Sequence, residues 1–231
     1  MMPRRYFITG TDTAVGKTLV AAALLQNARA FGLRVVGLKP VSAGCRLVHG
    51  RLVNDDALLL QQNASVPLDY GQVNPVALEP AMAPHIAAAR AGIPLRAAAL
   101  AAAVRQVADQ GHEAVLVEGA GGWLVPLNDT ETMADVAIAL GYPVILVVAM
   151  RLGCLNHALL TAQAIAAAGL PLAGWVANST GPAMESIDEN LQALERRLPA
   201  LRLGTVPYLG PSPTPEQVNT WLDGMSLFGA S

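Results

Sequence analysis

The chain has 231 residues, of which 53% are hydrophobic and 14% charged, and its formal net charge is −2. A chain of this length buries roughly 70–75% of its unfolded surface and fits one α/β domain or at most two small ones, without disulfide or metal staples. The composition excludes a disordered chain, and the near-neutral balance leaves no basic field for nucleic acid or an acidic membrane.

In chain order, the first strand-like run is YFIT (residues 6–9), followed by the loop GTDTAVGKT and a helical stretch over 17–30. RVVGL (34–38) reads as the second strand and 55–62 as the next helix. The stretch 41–94 is the least regular, rich in Pro, Asn and Asp; inside an otherwise tidy chain such a segment is expected to build a site. A helix over 95–109 leads to the strand AVLVE (114–118), and a helix over 133–140 leads to PVILVV (143–148). A helix over 156–168 precedes LAGWVAN (172–178), and one over 185–198 precedes LRLGTV (201–206). Gly32, Gly111, Gly141 and Gly169 stand where helices close. Runs without polar alternation suit strands buried on both faces. Their alternation with helices predicts an α/β fold, a doubly wound and mostly parallel sheet in a single domain over 1–231. The Pro-rich tail after Pro207 is expected to be a surface loop with a short terminal helix.

Cys45 and Cys154 are too few for a disulfide scaffold and lack metal spacing, which fits reduced thiols. His49, His85, His112 and His157 are scattered and read as structural or surface residues. Arg4 and Arg5 run straight into a strand, so no signal peptide is expected. The longest strongly apolar run, 143–150, is far short of the ~20 residues of a spanning helix. The expectation is a soluble, cytoplasmic protein.

The phosphate-cradling pattern places four residues between its first glycine and Gly-Lys-Ser/Thr. Here Gly10 and Gly16 enclose five: Thr11, Asp12, Thr13, Ala14 and Val15. The loop still joins a strand to a helix, where backbone N–H groups and the helix dipole face phosphates. Lys17 is expected on the β/γ phosphates and Thr18 on Mg²⁺. Glu118 ends AVLVE at the carboxyl edge, where open α/β sheets bind ligands, and reads as a metal ligand or water-orienter, or else as a helix N-terminal partner. Gly119, Ala120, Gly121 and Gly122 follow and allow close approach to a phosphate. Of Asp55 and Asp56, one is a natural helix cap and the other is free for metal. Lys39 stands at the same edge, either neutralising a transferring phosphoryl group or solvated at a strand end. Asn178 either reads a base through its amide or starts a turn.

GTDTAVGKT, KPVSAG from Lys39, VEGAGGW from Val117, LGCLNHA from Leu152 and AGWVAN from Ala173 occur in an order that resembles the dethiobiotin synthetase family. The likeness runs from Tyr6 to about Leu209. It implies a fold like that of P-loop NTPases and an ATP-dependent ring closure on 7,8-diaminononanoate and CO₂. One amine forms a carbamate that attacks the γ-phosphate; the second amine then closes the cyclic urea on the resulting carbamic-phosphoric anhydride. By position, Lys17, Lys39 and Thr13 would be catalytic, and Thr18, Asp56 and Glu118 would hold Mg²⁺, leaving Asp55 as the cap. Residues 14–18 (Ala14, Val15, Gly16, Lys17, Thr18), 118–121, Asn178, Pro207, Tyr208 and Leu209 would line the nucleotide site. Thr13, Lys39, Ser42 and Ala43 would meet the diamine. Gly153, Cys154 and Asn156 would take its carboxylate across a homodimer interface, at a helix start near Asn156.

The chain departs from the family pattern at Ala14, where relatives often carry a polar residue. At Ala43 they commonly have Ser or Thr, which here stands one position earlier as Ser42. Some relatives carry an aromatic at Asn190. The added loop residue is expected to lift Thr11, Asp12 and Thr13 toward the γ-phosphate. The rival class is a switch ATPase of the partitioning kind, which usually has a further lysine early in this loop; Thr11, Asp12 and Thr13 supply none. A third reading is a nucleotide-binding protein without turnover.

Overall fold

The computed structural model describes residues 4–182 and 184–229, so the first three and last two residues of the expected domain lie outside it. β1 (Arg4–Gly10) leads through the glycine loop into α1 (Lys17–Ala30) and then β2 (Val35–Leu38). The irregular segment folds into β3 (Val41–Ala43), β4 (Arg46–Val48), β5 (Arg51–Val53), α2 (Asp55–Asn63), α3 (Tyr70–Val73), β6 (Val76–Leu78) and α4 (Pro84–Ala91). Regular alternation resumes with α5 (Ala97–Ala108), β7 (Ala114–Gly122), α6 (Met133–Leu140), β8 (Val144–Ala149) and α7 (Cys154–Ala167). The chain ends with β9 (Leu172–Asn178), α8 (Ile187–Glu195), β10 (Arg202–Val206), α9 (Pro215–Asn219) and α10 (Met225–Phe228).

Six strands form one sheet in the order β10-β9-β8-β1-β7-β2, and every neighbouring pair is parallel. Successive residues of a strand face opposite sides, so Phe7 packs with Val115, Val117 and the apolar stripes of α5 and α6. Ile8 packs on the other side with Leu116, Leu24 of α1, Val218 and Phe228. Helices therefore cover both faces, which explains the unbroken apolar runs. β1 lies between β7 and β8, so the chain leaves it toward one edge and returns to build the other. The crevice at the carboxyl end of such a reversal is where ligands sit in these sheets.

Four expectations need correction. Glu118 does not end its strand: β7 runs on to Gly122, but its neighbour β2 stops at Leu38, opposite Val117, so Glu118 clears that neighbour by one residue. α7 begins at Cys154 rather than Asn156, because Gly153 at φ +94 turns the chain into the helix two residues early. Asp55 is not the cap of α2. Asn54 is, its side chain accepting from the Ala57 N–H, while Asp55 pairs with Arg46. The tail is not a mere surface loop, since α9 packs on α1 and both Val218 and Phe228 are fully buried. Among the described residues no helix is long and apolar enough to cross a membrane. Both cysteines are buried free thiols.

Just ahead of β7, His112 is buried and neither ring nitrogen has a hydrogen-bond partner. Burial, and then the charge of Arg34, push its pKa below the ordinary value. The unfolded chain therefore takes up the proton first, so this contribution to stability is complete above pH ~6.5 and is lost as pH falls through the folded value. His112→Leu removes an unsatisfied buried group and should raise stability by about 1 kcal/mol at neutral pH. Urea unfolding between pH 8 and pH 5 should also show a smaller acid loss in the variant; equal losses would contradict this reading.

Candidate nucleotide and substrate site

The phosphate loop takes its shape from a few backbone positions. Gly16 sits at φ +88 as the N-cap of α1, and a Cβ there would overlap the amide of Asn178. Ala14 also occupies the left-handed region, at φ +56, where an L side chain costs roughly 1–2 kcal/mol. Thr11 donates its N–H to Val147 O at 3.0 Å, pinning the start of the loop to β8. The Asp12 carboxylate accepts from the Thr13 N–H at 2.7 Å and pairs with Arg151 at 2.5 Å. The Thr13 bond, followed by Arg151, holds this carboxyl below its usual range. Buried Lys17 donates to the Asp12 carbonyl at 3.2 Å, a contact it must release to reach a phosphate.

Beside the loop lies an ion cluster. Lys39 is buried where β2 ends, with Nζ 2.7 Å from Glu118 Oε1 and 3.0 Å from Asp56 Oδ2. Burial alone lowers a lysine pKa, but Glu118 and then Asp56 outweigh it, so the Lys39 value is raised. Lys17 has no such pair in direct contact; burial lowers its pKa, with Glu118 only partly opposing. Thr18 Oγ1 donates to Glu118 Oε1 at 2.8 Å, while Glu118 Oε2 is buried without a hydrogen-bond partner. Among the described residues no three His, Cys, Asp or Glu side chains converge. Two carboxylates and a hydroxyl do, one carboxylate oxygen being unsatisfied, and that set fits a hard cation that keeps some of its waters.

Three cavities follow the carboxyl edge of the sheet. The middle one, about 540 Å³, is lined by Ala14, Gly16, Lys17, Thr18 and Glu118. On one side a cavity of about 410 Å³ holds Asn178, Pro207, Tyr208 and Leu209 and shares Gly16 and Leu19 with the middle one. On the other side a cavity of about 510 Å³ is lined by Ser42, Ala43, Met82, Pro84 and Ala120. Thr13, Lys39, Asp56 and Gly121 border both the 510 and 540 Å³ spaces. The expanded loop thus sets Thr13 at their junction.

Other expected site residues sit as follows. The Asn178 amide donates to Val15 O at 2.8 Å, tying β9 to the loop rather than starting a turn. Val15 itself is core, and Gly119 packs against the Phe7 ring. The Ser42 hydroxyl donates to Asn74 Oδ1 at 2.8 Å, so it is held by the fold, and Ala43 leaves its part of the wall apolar. Asn190 lies in α8, its amide donating to Ser186 O. Gly153, Cys154 and Asn156 gather at the start of α7, where Asn156 is exposed and Cys154 buried. None of the three lines the cavities above within one chain. Sequence reasoning missed Asn54, Tyr70 and Asn74, polar groups buried or nearly buried behind Lys39; the only trace was polar residues inside the irregular segment.

A family described as an AAA domain matches residues 4–216. The ATP-dependent dethiobiotin synthetase BioD of Pseudomonas paraeruginosa is 54% identical over 204 residues, covering 88% of this chain and 90% of that protein. The chain belongs to the dethiobiotin synthetase family. A second member, ATP-dependent dethiobiotin synthetase BioD 1 of Escherichia coli (strain K12), is 49% identical over 212 residues, 92% of this chain and 94% of that one. Among solved structures, the signal recognition particle receptor FtsY from Elizabethkingia anophelis in complex with GDP aligns with a TM-score of 0.58 at 14% identity. That match covers 100% of this chain but only 65% of the receptor, and it shows a shared fold alone.

The family reading makes nucleotide binding testable at the loop. Gly16→Ala combines a left-handed backbone with the overlap against Asn178. It should weaken ATP binding by roughly 100-fold or more, about 2.7 kcal/mol, with the circular dichroism of the fold retained. Calorimetric titration giving near wild-type affinity would contradict the loop geometry.

Proposed function

We propose that this chain, acting as one domain, closes the ureido ring of dethiobiotin from 7,8-diaminononanoate, CO₂ and ATP. The single observation that supports this is the junction: a phosphate cavity and a second cavity meet at Thr13 and Lys39. ATP lies with its base beside Asn178 and Tyr208, its phosphates on the loop and Lys17, and the diamine in the cavity bordered by Ser42 and Ala43. One amine, carbamylated by CO₂, presents its carbamate oxygen to the γ-phosphorus, and ADP departs. The second amine attacks the carbonyl carbon of the resulting anhydride, expelling phosphate as the urea closes; each amine loses a proton. Lys39, kept charged by Glu118 and Asp56, faces the carbamate and the moving phosphoryl group, where a fixed cation acts on developing charge without reorganising. Thr13 orients the nucleophile, and Lys17 shifts from Asp12 to the phosphates, whose charge favours its ammonium form.

Thr18, Asp56 and Glu118 would hold Mg²⁺, whose chemistry there is to neutralise phosphate charge. The orphaned Glu118 Oε2 supports this assignment. The chain works as a homodimer, with Gly153, Cys154 and Asn156 of one protomer taking the carboxylate of a diamine held by the other. Free N–H groups at the start of the 14-residue α7 suit an anion.

Phosphate release should require both the diamine and bicarbonate and yield the cyclic urea. Hydrolysis indifferent to the diamine, or stimulated by DNA, would instead indicate a switch ATPase. Lys39→Gln keeps an N–H donor for Glu118 but no charge. It should lower kcat by roughly 100-fold or more, about 2.7 kcal/mol of transition-state stabilisation, with the circular dichroism of the fold retained. Near-normal turnover would remove Lys39 from the mechanism.

A further inference from the structure

We infer that Asn74, together with Tyr70 and Asn54, is a positioning network that aims Lys39 and Asp56 at the cavity junction, an inference resting on the ring-closure reading above. Lys39 is the first residue beyond β2, where the sheet no longer holds the backbone. Two bonds from the irregular segment take over: the Lys39 N–H donates to Val73 O at 2.8 Å, and Asn74 Nδ2 donates to Lys39 O at 2.6 Å. Asn74 is 3% exposed and uses its whole amide. Its second N–H reaches Val76 O at 3.3 Å, and its Oδ1 accepts from Ser42 Oγ at 2.8 Å and Tyr70 OH at 2.9 Å. Because Lys39 O and Val76 O can only accept, the amide has one permitted orientation.

The chain of bonds then returns to the site by a second route. Tyr70 OH accepts from the Asn54 N–H at 2.7 Å. Asn54 caps α2 through Ala57 and donates Nδ2 to Ala43 O at 3.3 Å. α2 carries Asp56 in its first turn, and Asp56 meets Lys39 Nζ at 3.0 Å. The result is a closed circuit: Lys39 backbone, Asn74, Tyr70, Asn54, Asp56 and the Lys39 ammonium. Neither Asn74 nor Tyr70 lines the 510 or 540 Å³ cavity, so neither touches a reacting atom. Apolar packing is non-directional and would not fix the angle of an ammonium, whereas a hydrogen-bonded ring sets it to tenths of an ångström. That matters because a misplacement of about 1 Å at a reacting centre costs on the order of 100-fold in rate.

The test uses Asn74→Asp, which keeps size and both acceptor positions but turns the donor facing Lys39 O into an oxygen. Tyr70→Phe removes only the hydroxyl. The diamine-dependent kcat should fall roughly 30- to 100-fold in Asn74→Asp and roughly 10-fold in Tyr70→Phe. ADP affinity measured without metal should stay within about twofold, because ADP has no γ-phosphate to face Lys39 and the loop that binds it lies outside the circuit. A role in stability alone would lower the melting temperature yet leave kcat within about twofold well below it, and that result overturns the inference. If Asn74→Asp does not fold, Tyr70→Phe decides by the same criterion. If the wild-type chain shows no diamine-dependent phosphate release, the ring-closure reading fails, and crystal structures of the variants decide the positioning. A Lys39 Nζ displaced from its 2.7 Å contact with Glu118 supports it, and an unmoved one overturns it.

Discussion

The site depends on a lysine ammonium buried between two carboxylates. Removing Lys39 from water costs several kcal/mol, and only close opposite charge returns it. Glu118 at 2.7 Å and Asp56 at 3.0 Å supply that charge, and they come from elements far apart in sequence. Glu118 stands on β7 one residue past the end of β2, while Asp56 stands in the first turn of α2. The unequal lengths of two parallel neighbours therefore create the place where the cation sits. The same carboxylate oxygen accepts from Thr18 of the phosphate loop, so the loop and the cation share it.

The rest of the architecture keeps this cluster at the meeting of two spaces. Helices on both faces leave the carboxyl edge of the sheet as its open end. The loop, one residue longer than the common phosphate pattern, spans from Gly10 to Gly16 with its early part held on β8 and on Arg151. That tether leaves Thr13 over the junction with Lys39 and leaves Lys17 folded back onto Asp12. The loop therefore holds local strain at Ala14 and a Lys17 contact that a phosphate would replace, as fits a segment built to cradle an anion. The irregular segment forms the opposite wall and, through Asn74, holds Lys39 where the sheet no longer does.

The strands and the loop were legible because their signals are local. An unbroken apolar run reports burial on both faces, and glycines flanking a lysine report a phosphate turn, whatever lies elsewhere. What was misread was decided by neighbours. Glu118 looked like a strand end because glycines follow it, but β7 continues and the edge is made by the shorter β2. Asp55 looked like the cap because it is acidic and first in the helix; Asn54 wins because Tyr70, 16 residues on, accepts its N–H. α7 starts early because Gly153 is free to adopt a conformation that sequence pattern does not reveal. The packing of the tail on the core was missed because helices of five and four residues are too short to show a periodic face. Asn74 had no legible signal, since its partners lie at Lys39, Ser42 and Tyr70 and only the fold brings them together.

Ring closure at the junction requires Lys39 to serve both cavities at once. A crystal structure with a non-hydrolysable ATP analogue, Mg²⁺ and the diamine tests it most directly. The γ-phosphate and the reacting nitrogen of the diamine should each lie about 3 Å from Lys39 Nζ, with Lys17 released from the Asp12 carbonyl onto the phosphates. A diamine bound elsewhere, with Lys39 facing only its two carboxylates, would contradict it.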